Sequence, residues 1–110
     1  MAEINAVVHS ALTALADARV ANFCASLTEL GQIGMTGDHG TCEEGARVLG
    51  RNVGARARQQ WRDLKVVGLD GDGDNVSLAP AHLAPRDAVV FGGGFDLRRV
   101  DDRWLLDLQE

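Results

Sequence analysis

Tyrosine is absent from this 110-residue chain, and its other aromatics amount to three phenylalanines and two tryptophans. So sparse a set offers no platform on which successive bases could stack, and a formal net charge of −5 works against any polyanion. Nucleic acid and anionic lipid are therefore poor partners. Long apolar runs are missing as well, since nothing approaches the roughly 20 residues that a membrane-spanning helix requires. The opening Met1-Ala2-Glu3-Ile4-Asn5 has neither the basic n-region nor the apolar h-region of a signal peptide. That leaves either a cytosolic protein or the mature portion of an exported one. Lysine is nearly absent: Lys65 stands alone, and arginine supplies the rest of the cationic set. With the abundant alanine, this points to a GC-rich coding source and carries no mechanism.

What is present is the ordinary balance of a globular protein, 45% hydrophobic and 25% charged. The length suits one modest core, so residues 1–110 are read as a single domain with no internal repeat. From Ala2 to about Leu30 the apolar residues recur at helical spacing. Ile4, Val7, Val8, Ala11, Leu12 and Leu15 form one stripe, and Val20, Phe23 and Leu27 another. Asp17 falls between them and can accept from the amides of a new first turn, which predicts two helices with a bend at Ala16-Asp17. The glycine-rich, aperiodic stretch from Gly31 to Gly40 reads as a loop. Thr41-Cys42-Glu43-Glu44 then matches a capping box, opening a helix whose apolar face is Val48, Leu49, Val53, Ala57, Trp61 and Leu64. Gly50 and Gly54 each cost about 1 kcal/mol against alanine in a helix, so a break is expected there.

The period changes near Leu64, which predicts helices over about 2–63 and a sheet over about 64–109. The runs 64–69 and 75–79 are β-prone and are joined by Asp70-Gly71-Asp72-Gly73-Asp74, a hairpin signal. Pro80 and Pro85 bracket a connection because neither can donate to a ladder. A longer strand is expected from Ala88 to Val100, bent or bulged at Gly92-Gly93-Gly94. Asp101-Asp102 turns the chain into a final strand from Arg103 to Leu108. In both strands apolar residues alternate with Asp96, Arg98, Arg103 and Asp107, which places these four on the wet face. The fold class is accordingly α+β, with N-terminal helices on a twisted antiparallel sheet.

This order of elements resembles the NTF2-like (cystatin-like) superfamily, and in particular small actinobacterial members that follow a lipoprotein or export signal. The matching features are Asp17 between the first helices, Phe23-Cys24 followed by Leu27-Thr28, then Thr41-Cys42-Glu43-Glu44, and a closing Val-Asp-Asp-Arg-Trp-Leu-Leu-Asp that contains Trp104. The resemblance implies a curved sheet wrapped around the helices as an open cone, with dimers formed through the sheet's outer face. It also implies that Cys24 on the second helix and Cys42 on the next form a disulfide over the intervening loop. Such a bridge contributes on the order of 3 kcal/mol and needs an oxidising compartment. Two unrelated buried thiols remain the alternative, and would leave the protein cytoplasmic.

Other patterns carry chemistry less well. Cys42, at a helix start with His39 three residues before it, has the makings of an activated thiol, but spacing alone does not make a dyad. His39, Cys42 and Cys24 with His9 or His82 could supply zinc ligands, yet only His39-x2-Cys42 has suitable spacing, and no metal is expected. Asp70-x-Asp72-x-Asp74 imitates a calcium loop, but Asn75 and Ala81 stand where glycine and glutamate are needed. The glycines from Gly92 to Gly94 precede a strand rather than a helix, so they suit sheet curvature better than a phosphate. On a continuous helix Arg47, Arg51, Arg58, Arg62 and Lys65 form a basic arc able to take an anion or an acidic partner. A break at Gly50–Gly54 scatters that arc.

The function expected from these features is a non-enzymatic NTF2-like domain, dimeric, that binds a small apolar ligand or a protein partner without a cofactor. The alternative is a cofactor-independent isomerase, dehydratase or cyclase working inside the cone. For that activity His9, Asp17 and His82 are the candidate catalytic groups, and a carboxylate and a histidine must meet in one apolar pocket.

Overall fold

A computed structural model describes residues 2–84 and 95–107 of the chain. Among these residues five α-helices come first: α1 (Ala2–Ala16), α2 (Val20–Ala25), α3 (Glu29–Thr36), α4 (Cys42–Asn52) and α5 (Ala55–Asp63). The strands β1 (Lys65–Val66), β2 (Asp70–Asp72), β3 (Asn75–Leu78), β4 (Leu83–Ala84), β5 (Phe95–Val100) and β6 (Arg103–Asp107) follow, with a short 3-10 turn at Pro80–His82. All pair antiparallel, as a β1–β4 ribbon and a four-stranded sheet in the order β2-β3-β5-β6. The α+β class and the helix-then-sheet division at residues 63–65 agree with the sequence. The bend expected at Gly92-Gly93-Gly94, the strand start at Ala88 and the final Leu108 lie outside the described residues.

α1 buries Ile4, Val8, Ala11, Leu12 and Leu15, the stripe that its periodicity requires. Opposite them lie Val76, Leu78, Phe95, Leu97 and Leu106 from one face of the four-stranded sheet, with Phe23 and Trp61 closing the same core. α1 stops where Ala18 takes φ 60°, so the bend falls where the sequence places it. Asp17 does not cap α2, however. The residue ahead of α2 is Arg19, which makes no side-chain cap, while the Asp17 carboxylate accepts from Arg62 Nε of α5 at 2.8 Å. The left-handed step at Ala18 sets Asp17 behind the start of α2 and turns it toward α5.

The expected loop from Gly31 to Gly40 is largely a helix. Thr28 Oγ1 accepts from Gly31 N at 3.0 Å to start α3, and Gln32 Nε2 donates to the Cys24 carbonyl at 2.9 Å. Tertiary contact overrides the low propensity of glycine here. Backbones meet so closely that a Cβ on Gly45 of α4 would overlap the Met35 carbonyl. Only the segment from Gly37 to Thr41 remains a loop.

Thr41 Oγ1 accepts from Glu44 N at 3.0 Å, the forward half of the capping box. The return half is not made, because the Glu44 carboxylate pairs with Arg47 and Arg51. The chain breaks at Val53-Gly54, as the glycines suggest, and Arg58 Nη1 donates to the carbonyls of Gly50 (3.1 Å) and Val53 (2.9 Å), closing the end of α4. The break redirects the apolar face. Cys42, Gly45, Ala46, Trp61 and Leu64 are buried, while Val48, Leu49, Val53 and Ala57 are only half-buried.

Two features of the sheet depart from the sequence reading. The run after Leu64 pairs with β4 rather than with β3, and the hairpin partner of β3 is Asp70–Asp72 itself, turning at Gly73 with φ 62°. At the second hairpin Asp101 (φ 51°) and Asp102 (φ 64°) both take left-handed conformations, the backbone twist a two-residue hairpin favours. Asp96 faces water as expected, but Asp107 is buried at 6% exposure. The reason is a neighbour the strand pattern could not reveal. Residues 26–28 run beside β6, with Thr28 N donating to Leu106 O (2.9 Å) and Leu106 N to Ser26 O (2.8 Å). Thr28 Oγ1 then donates to Asp107 Oδ1 at 2.7 Å, and Arg98 lies 3.7 Å from its other oxygen.

Candidate functional site

α3 is built inside out. A helix on a protein surface normally turns its large apolar residues to the core. In α3 the buried residue is Gly31, while Leu30 stays 50% exposed and Ile33 67% exposed. The inward face of α3 is taken by Gly31 and by Met35, which packs against the core where the α3 and α4 backbones meet at Gly45, so Leu30 and Ile33 face outward. Ile33 therefore stands on the rim of an open groove of about 520 Å³ between α2, α3 and α4. Its α2 wall is made of the small residues Ala21 and Ala25, and Cys24 and Cys42 line it too. Glu29 and Glu43 line it as well, and among the described residues no cationic side chain does. Each glutamate lies in the first turn of its helix, where the helix dipole favours a carboxylate.

The disulfide of Cys24 and Cys42 is formed, with Cα atoms 6.2 Å apart and a sequence separation of 18. It ties α2 to α4 and encloses α3 in the loop between them. Neither cysteine is a free thiol, so His39, exposed in the α3–α4 loop, has no thiol to activate. Among the described residues no group of three or more His, Cys, Asp or Glu is placed to hold a metal.

The three candidate catalytic residues are not brought together. His9 is exposed on α1, and Asp17 is held by Arg62 at the α1–α2 bend. His82 lies in the 3-10 turn, its Nδ1 accepting from Ala79 N at 3.1 Å and its Nε2 3.9 Å from the Asp70 carboxylate. No hydrogen bond or ion pair joins any two of them. The basic arc is divided by the break between α4 and α5. Arg47 and Arg51 meet Glu44, Arg58 caps α4, Arg62 holds Asp17, and Lys65 is exposed on β1.

A second open cleft of about 400 Å³ lies between α1 and the β5–β6 hairpin, with Val7 and Trp104 in its walls and Glu3, Asp102 and Arg103 at its edges. The guanidinium of Arg99 stands 5.6 Å from the centre of the Trp104 ring. Sequence periodicity missed both Ile33 and Asp107. Thr28-Glu29, a cap followed by an acidic first turn, was the signal for α3, and the i,i+3 pair Leu30 and Ile33 was the signal for its outer face. Comparison of the chain with protein-family models, with curated proteins and with solved structures finds no match in any of the three.

Proposed function

We propose that the chain is a non-catalytic binding domain that receives a segment of a protein partner in the groove between α2, α3 and α4. The observation that carries this is the outward placement of Ile33 on the groove's rim, on a helix enclosed in a disulfide-closed loop. Covering such a side chain contributes on the order of 1–2 kcal/mol. An interior ligand is less well supported, since Leu12, Leu15, Phe23, Leu97 and Leu106 fill the space between α1 and the sheet. The sheet's outer face, the expected dimer surface, is polar at Ser77, Asp96 and Arg98 and offers less to a partner than the groove does. What supports an NTF2-like frame is the packing of helices against one face of an antiparallel sheet. The disulfide supports an oxidising compartment for the same role. The separation of His9, Asp17 and His82 speaks against an isomerase, dehydratase or cyclase built on them.

The test places a photo-crosslinking residue at position 33 and, as a control, at the equally exposed Val67, and reconstitutes any captured protein with the purified domain. Binding that is lost in Ile33→Asp, while the melting temperature is retained, supports the proposal. Reconstituted binding that Ile33→Asp leaves unchanged rejects it.

A further inference from the structure

Granting that this groove is the docking site, we infer that its occupant is an amphipathic helix whose apolar stripe is flanked by lysine or arginine. The shape of the groove selects a helix. Its α2 wall is Ala21 and Ala25, four apart on one face, and small residues at that spacing let a second helix come close. The opposite wall presents Ile33 from α3 as the one large apolar anchor, one turn from Glu29. An extended segment would instead look for unpaired strand edges, and the groove has none because helices form all its walls.

Charge selects the sign. Glu29 and Glu43 both border the groove and both are exposed, and neither forms an ion pair with any other described residue. Glu44, by contrast, is already engaged by Arg47 and Arg51, and it does not line the groove. Two unpaired carboxylates beside an apolar anchor, on a chain of net charge −5, repel an acidic helix and attract a basic one. The helix dipoles of α3 and α4 offset part of this field but do not reverse its sign.

The experiment titrates three designed helical peptides into 15N-labelled, oxidised protein. The peptides share one apolar stripe and carry lysine, glutamine or glutamate on its flanks. The expected result is that the lysine peptide shifts the amides of Ala21, Ala25 and Ile33, and that the glutamate peptide binds at least about tenfold more weakly. Raising the salt weakens the lysine peptide most, and Glu29→Gln with Glu43→Gln removes most of the difference between peptides while the spectrum stays dispersed. If the groove amides shift equally with all three peptides, the groove remains a docking site but the basic-helix inference is overturned. If none of the peptides moves those amides, the inference and the docking reading both fail. Shifts at Ile33 that grow with protein concentration alone make a second copy of the chain the occupant, and overturn the inference as well.

Discussion

Opening the Cys24–Cys42 bridge should loosen α3 first and lower global stability by an amount the loop length sets. With 18 residues of separation, restricting the unfolded chain contributes about 3 kcal/mol at 25 °C in the chain-entropy account. A domain of 110 residues unfolds with an entropy of roughly 0.23 kcal/mol per kelvin, so the loss corresponds to a fall in melting temperature of about 13 °C. The comparison that isolates the cross-link is oxidised against reduced wild type, since both retain the two buried sulfurs. The variant Cys24→Ala/Cys42→Ala adds the cost of lost packing and should melt lower still. Thermal unfolding followed by circular dichroism gives the global number, and amide exchange gives the local one. Exchange across Glu29–Thr36 should accelerate more than across Ala2–Ala16, because α3 alone lies inside the closed loop and has little apolar burial of its own. If reduction lowers the midpoint by less than about 4 °C, or if α1 loosens as much as α3, the picture of a clamped α3 is wrong.

Other substitutions probe the parts that hold the groove in place. Gly45→Ala should cost about 3 kcal/mol or more in chemical denaturation, because the new methyl meets the Met35 carbonyl; a loss below about 1 kcal/mol would show that α3 and α4 can separate freely. Thr28→Val removes both the start of α3 and the hydroxyl donor to buried Asp107, and should cost about 2–3 kcal/mol in the same assay. Among the described residues Thr13 Oγ1 is buried without a hydrogen-bond partner, so Thr13→Val should raise the melting temperature by about 4 °C; a fall would mean that the hydroxyl is satisfied. Asp102→Gly relieves a left-handed non-glycine residue and should stabilise by about 0.5–1 kcal/mol, read as a shift of the urea midpoint.

Much of the fold was legible in the residues themselves because local physics decides it. The α1 stripe, the Thr41 cap, the break near Gly54 and the closing hairpin at Asp101-Asp102 follow from period, capping and turn chemistry within a few residues. The bridge of Cys24 and Cys42 was also anticipated, through resemblance rather than through spacing. What only the tertiary structure decided involves partners distant in sequence. Glycines at 31 and 34 argue for a loop until α4 supplies Gly45 and a backbone close enough to make small residues the ones that fit. Asp107 alternates as a solvent-facing residue until residues 26–28 arrive beside β6 and Thr28 gives its carboxylate a donor. Asp17 looks like a cap until α5 brings Arg62, and the basic arc dissolves once Arg58 and Arg62 find acceptors on other elements. Ile33 is the consequence that matters for function. Its type says core, and only the packing of α3 against α4 turns it outward, because Gly31 and Met35 occupy the inward face of α3.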